Sequence, residues 1–268
     1  MADKGHHAGD DGTVGKALAV LDLVAGRGQP VRFAQLAAEA GLPRSTLYRL
    51  LRTLTHQGML DFNPDRQAYA PGLRLVRLAH AAWRQSALAP IARPHLDALA
   101  AETGETVHLA QLDAGQVVYV DKRNAREPVE MFSQAGKVGP AYCTGVGKAM
   151  LAFLGADELA RALPRQSFHP HTPRTLTTPE ALLAELAAIR AQGHAWDREE
   201  HEPGILCLAH PILARSGRVL GAVSLTTTTQ RSSPEALAGM EGRLRAAARA
   251  IAEDAEAWRF PEADRRSP

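Results

Sequence analysis

Two cysteines, no long apolar run and no leader-like start are what this chain has little of, and each shortage removes a class of protein. Cys143 and Cys207 form no Cys-x-x-Cys pair and are too few for a disulfide framework, which points to a reducing cytoplasm. No stretch approaches the ~18 consecutive apolar residues of a bilayer-spanning helix, so no membrane partner is expected. Residues 1–12 lack the apolar segment of a signal peptide and read as a disordered tail, with residues 260–268 as a second tail. Internal repeats, low-complexity tracts and a Gly-x-Ser-x-Gly nucleophile elbow are all missing. What is there is an ordinary globular composition, 45% apolar and 22% charged over 268 residues, enough for one large domain or a small one plus a larger one.

The net charge of +2 hides an asymmetry. Residues 13–85 hold ten Lys/Arg against four Asp/Glu, a charge of +6, so the remainder carries −4. A basic block on a mildly acidic body suggests a polyanion partner for the block alone.

Within that block the stretch Gly41 to Leu60 organises the rest. Leu47, Leu50, Leu51 and Leu54 fall at i, i+3, i+4, i+7 and share one helix face, while Ser45, Tyr48, Arg49 and Arg52 share the other. Pro43 suits a first helical position and Gly58 a stop. Taken alone this could be an amphipathic surface helix with a solvated basic face. Its neighbours decide otherwise. A helix from Thr13 to a stop at Gly26, a shorter one over 32–40 and the turn Gly41-Leu42-Pro43 make a helix-turn-helix. Two short alternating runs then flank Asn63-Pro64-Asp65-Arg66 as a β-hairpin, which completes a winged helix-turn-helix. Arg44, Ser45, Thr46, Tyr48, Arg49 and Arg52 would face the groove or its backbone, and Arg66 at the wing tip would meet phosphate or the minor groove. Double-stranded DNA is the expected partner.

Beyond a helical stretch over 73–85, a further helix is expected from about Ser86 to Thr103, its first turns made uncertain by Pro90 and Pro94. The period then switches to two. Residues 106–112 and 117–120 read as a hairpin around Asp113-Ala114-Gly115-Gln116, and 128–132 suggests a third strand. Helices are expected over 145–154, 156–163 and 179–192, strands over 205–213 and 219–226, and a last helix over 234–257. Strand pairs interrupted by helices point to an antiparallel sheet flanked by helices, an α+β class.

Three motifs, in order along residues 13–257, carry a resemblance. Gly41 to Leu51, the block Tyr142-Cys143-Thr144-Gly145-Val146-Gly147-Lys148-Ala149, and Asp197 to Ile212 are similar to the IclR family of bacterial transcriptional regulators. The resemblance implies a DNA-binding domain (13–72), a linker helix (73–86) and a GAF-like effector-binding and oligomerisation domain (87–259). It also implies a homo-oligomer, a dimer or a tetramer, and control by a small organic acid. Carried over position by position, it makes Gly145, Val146, Asp197, Cys207, Ser224 and Thr226 the effector-binding residues. Amides at a helix N-terminus suit an anion, and hydroxyls two apart on a strand share a face. Phe168 to Thr177, with Tyr142 to Gly145, resembles the branch that answers sugar acids.

Enzyme readings fare worse. Gly145-Val146-Gly147-Lys148 lacks the phosphate loop's earlier glycine, Tyr142 standing there, and Ala149 replaces the magnesium-binding hydroxyl. Nothing pairs Cys143 with a histidine as a nucleophile. His169, His171, His201 and His210 with Cys207 lack the short spacings of a structural zinc site, so neither metal nor cofactor is expected. The alternative function is a small-molecule enzyme with an appended nucleic-acid-binding domain.

Overall fold

The computed structural model describes residues 12–85, 88–126, 131 and 133–257. The chain divides into two compact units at Gln85/Ser86.

The first unit runs α1 (Gly12–Ala25), β1 (Val31–Arg32), α2 (Phe33–Glu39), α3 (Arg44–His56), β2 (Leu60–Asn63), β3 (Ala68–Pro71) and α4 (Leu73–Gln85). The four α3 leucines are all buried, against Val20, Leu21, Val24, Leu36 and Tyr69 from the surrounding elements. Each buried leucine contributes about 1.5–3 kcal/mol, so the spacing of these four side chains fixes which way α3 faces. The wing has a third strand that periodicity could not reveal: the two-residue β1 pairs with β3, giving the order β1-β3-β2. Gly72 sits where the chain leaves the wing, so close to Gly58 that a Cβ there would lie 2.3 Å from the Gly58 carbonyl oxygen. Gly58 itself has φ +69° as it ends α3, a conformation that costs glycine nothing.

The second unit contains α5 (Leu88–Thr103), β4 (Thr106–Asp113), β5 (Gln116–Arg123), β6 (Val138–Gly139), α6 (Gly145–Ala152), α7 (Ala156–Ala162), α8 (Pro179–Gln192), β7 (Ala195–Arg198), β8 (Ile205–Leu213), β9 (Val219–Thr228), α9 (Pro234–Ala238) and α10 (Glu241–Ala257). One antiparallel sheet has the order β6-β5-β4-β9-β8-β7. Helix α6 packs on one face with α8 against it, and α5 and α10 pack together on the other. The ends of α8 follow from its chemistry. Thr178 accepts from the Ala181 amide, Pro179 opens the helix and Gly193 closes it in the left-handed region.

Several expectations need correction. The strand expected over 128–132 falls outside the described residues except for Met131, which is not in a strand, and the partner of β5 is instead β6. The closing helix is two helices, α9 and α10, broken at Gly239 and Met240. Strand β7 had no periodic signal and pairs with β8 all the same. Pro94 lies inside α5 and does not end it. The two expected tails lie outside the described residues, save that Gly12 already belongs to α1.

Candidate functional site

The first candidate site is the outward face of α3. Arg44, Ser45, Tyr48, Arg49 and Arg52 are exposed, Thr46 is half-buried, and Arg66 stands exposed on the turn between β2 and β3. Among the described residues none of Arg49, Arg52 and Arg66 is paired with a carboxylate, whereas Arg27 of the same unit is bound to Glu39. Arg44 lies over the Phe33 ring at 5.4 Å, which orders it without neutralising it. An Asx turn, with the Arg66 amide donating to Asn63 Oδ1 at 2.9 Å, holds the wing tip. Pro43 leaves the N-terminus of α3 without a side-chain cap, so its first amides point outward beside these cations.

The second candidate site is a cleft between the sheet and the N-terminus of α6. Register builds it. Asp197, Cys207 and Thr226 are directly opposite one another on β7, β8 and β9, and Ser224 lies two residues along, opposite His108 on β4. Side chains two apart share a face, so these five groups point the same way, toward Gly145 and Val146. All six residues carried over from the resemblance therefore line one cleft. Glycine at 145 is a condition of that geometry, because a Cβ there would meet Cys207 Sγ at 2.8 Å. At 147 it would come within 2.4 Å of the Ala141 backbone. Thr144, the residue before α6, donates its hydroxyl to the Pro140 carbonyl at 2.7 Å and so does not cap the helix. The free space within the cleft is about 30 Å³, far below the ~300–1,000 Å³ of pockets that hold drug-sized ligands.

Sequence reasoning missed His108, Tyr119, Ser133 and His201, which line the same cleft. His108 matters most. Its Nε2 lies 2.8 Å from Ser133 Oγ, and its Nδ1 lies 3.3 Å from Thr226 Oγ1 and 3.5 Å from Ser224 Oγ. Complete burial, with Lys122 nearby, lowers its pKa to about 3, so the ring is neutral. No local motif announces it; only the β4–β9 register could have.

Burial also sets the other protonation states. Asp197 is raised to about 7, first by desolvation and then by Glu200, although the Glu200 amide donates to its Oδ1 at 2.7 Å. Cys207 is raised to about 12, chiefly by desolvation and then by Asp197, and Cys143 goes up for the same two reasons. Both are free buried thiols, the protonated form that is a poor nucleophile. Lys148, fully buried, is held by Glu200 at 2.5 and 2.7 Å and by Glu185 at 3.2 Å. Its ammonium is thus committed to carboxylates, as a phosphate-loop lysine's is not. Of the histidines weighed for a metal, His169 and His201 each meet the ring of His171, edge-on and tilted respectively, with ring centres 4.8–4.9 Å apart. His210 lies instead with His194 and Glu241.

A winged helix-turn-helix with unneutralised arginines, joined in one chain to a separate domain with a buried polar cleft, defines a one-component transcriptional regulator. The IclR helix-turn-helix domain model matches residues 13–64, and the bacterial transcriptional regulator IclR C-terminal model matches residues 80–253. The chain belongs to the IclR family. It is 35% identical over 239 residues to the HTH-type transcriptional regulator XynR of Escherichia coli, covering 89% of this chain and 95% of that one. To the HTH-type transcriptional regulator KdgR of the same organism it is 32% identical, covering 88% and 89%. The crystal structure of the Thermotoga maritima IclR superposes with a TM-score of 0.72 at 31% identity, over 91% of this chain and 98% of that one. It is a DNA-binding regulator with a ligand-responsive C-terminal domain. Among the described residues no helix is long and apolar enough to cross a membrane.

Proposed function

We propose that residues 13–72 bind operator DNA, that 73–86 link them to a domain over 87–259, and that the cleft of that domain takes a small hydroxy-, keto- or sugar acid. The observation that carries the ligand class is the chemistry of the cleft. An uncapped helix N-terminus suits a carboxylate, and Ser224, Thr226 and the neutral His108 ring suit hydroxyl or keto oxygens. Asp197, near its midpoint at neutral pH, donates or accepts as the ligand requires. Gly145, Val146 and Cys207 shape the wall against which the carboxylate sits. Because the free space is far below that of a typical ligand pocket, an acid must move the walls to fit. That supplies the differential contact which coupling to DNA affinity demands.

On the DNA side, Arg44, Ser45, Thr46, Tyr48, Arg49 and Arg52 are the groove-facing set and Arg66 is the wing contact. Two half-sites need two copies. Val14 and Leu18 on α1 and Leu73 and Val76 on α4 are exposed apolar side chains at helical spacing, suited to a second copy of the same unit. A thermal-shift screen of small organic acids, followed by operator mobility shifts with each hit, tests the whole reading. A stabilising acid should change operator affinity. Acids that stabilise the protein and leave operator affinity untouched, or that are turned over, would remove it.

A further inference from the structure

On the face of the sheet away from the effector cleft lies a cluster that the regulator reading does not use. Along β8, Cys207 and Ala209 face α6, so His210 faces the opposite side, where α10 packs. There His210 Nε2 lies 2.9 Å from Glu241 Oε1 at the start of α10. His194, between Gly193 and β7, brings its ring to 5.8 Å from that of His210. His194, His210 and Glu241 each present a donor atom, and the three atoms all lie within 4.8 Å of one another. His194 Nδ1 is buried and has no hydrogen-bond partner among the described residues, an arrangement that leaves a lone pair or a proton unused.

We propose that His194, His210 and Glu241 form a binding site for a borderline transition-metal ion of the zinc type, which ties α10 to the β7–β8 edge of the sheet. Two imidazoles and a carboxylate are a recurrent zinc donor set, with a fourth position left for water. Here the adjoining groove, between Arg190, Gly193 and Arg245, provides the access for that water. Tetrahedral zinc at its usual bond lengths of ~2.0–2.2 Å separates its ligand atoms by about 3.4 Å. The donor atoms, all within 4.8 Å of one another, lie within about 1.4 Å of that separation. Nitrogen donors and the single carboxylate disfavour magnesium and calcium, which demand oxygen ligands. The Arg245 guanidinium, 3.8 Å from Glu241 Oε1, would have to yield that carboxylate to the ion. Binding takes each imidazole in its neutral form, and the ion replaces the hydrogen bond between His210 and Glu241.

The test uses the full-length protein with His6 and His7 changed to Ala, titrated with zinc chloride against a chromophoric chelator, with cobalt(II) absorption reporting coordination. One equivalent should bind per chain and raise the melting temperature, with a tetrahedral or five-coordinate cobalt spectrum. H194A and H210A should each weaken binding at least about tenfold and abolish the thermal shift, whereas the H169A/H171A pair should change neither. If H210A fails to fold, H194A, on a loop, still decides. Undiminished zinc affinity in H194A overturns the proposal, and so does an equal loss in H169A/H171A.

Discussion

The face of α3 and the cleft beneath α6 treat polar groups in opposite ways. On α3 three arginines stand in solvent with no carboxylate partner among the described residues, on a helix whose other side is sealed by four leucines. In the cleft, and in the ion pair behind it, histidine, aspartate, lysine and glutamate are buried, and each is tied to another. The exposed set costs the fold almost nothing and holds its charge for a partner. The buried set is coupled to stability, because each member would be destabilising without its neighbour. Substitutions on α3 should therefore change binding without changing stability, and those in the second domain should change both.

The largest effect should come from the buried ion pair. Lys148→Ala leaves Glu200 desolvated without its cation, a loss of about 3–5 kcal/mol, read by chemical denaturation. The Lys148→Ala/Glu200→Gln double variant should recover part of that loss. A single variant as stable as the parent would show that the second domain is as tolerant as α3, and the contrast would fail.

Next comes pH. Asp197 has a folded pKa of about 7 against an ordinary 3.8, so the folded state holds its proton where the unfolded state has released it. The sign follows from linkage. This group adds no cost below about pH 4, destabilises progressively as pH rises between 4 and 7, and exacts its full cost above 7. Asp197→Asn, which keeps an oxygen for the Glu200 amide, should thus stabilise the protein at pH 8 by an amount on the order of a few kcal/mol. At pH 4 it should be neutral. A stabilisation equal at both pH values would mean that the carboxylate is not desolvated. The same variant should lose its response to effector.

Arg49→Ala should weaken operator binding by about 1–3 kcal/mol and relax sequence preference at one position, with stability unchanged within about 0.5 kcal/mol. Mobility shifts on operator variants, beside a melting curve, check both halves. A stability loss equal to the binding loss would mean that the arginine serves the fold.

The two regions also differed in how much could be read from sequence, and for a physical reason. Helix α3 answers to a period of 3.6 within thirteen residues, and α8 carries its caps at Thr178 and Gly193. Both are local codes. The cleft is assembled by strand register across β4, β9, β8 and β7, which nothing local encodes. His108 reaches Thr226 across 118 positions of sequence, so no local pattern shows it, and Ser224 and Thr226 themselves were named only through the family resemblance. Strand β1 has only two residues, β7 with three of its four residues buried shows no alternation, and β6 owes its place to pairing with β5. His194 and His210 meet by the same non-local route. Gly239 breaks the last helix where apolar spacing alone reads straight through.

The smallest predicted effect concerns the wing. Arg66 is held through its backbone amide at the tip of a turn and pairs with no carboxylate among the described residues, which suits a contact with phosphate rather than with a base edge. A phosphate contact releases counterions whatever the sequence beneath it. Arg66→Ala should therefore weaken binding by a similar factor on every operator variant and reduce the slope of log K against log salt by about 1. Arg49→Ala should differ by discriminating less among those variants. If Arg66→Ala instead altered sequence preference, the wing would be reading bases in the minor groove, and the division of labour between helix and wing would have to be redrawn.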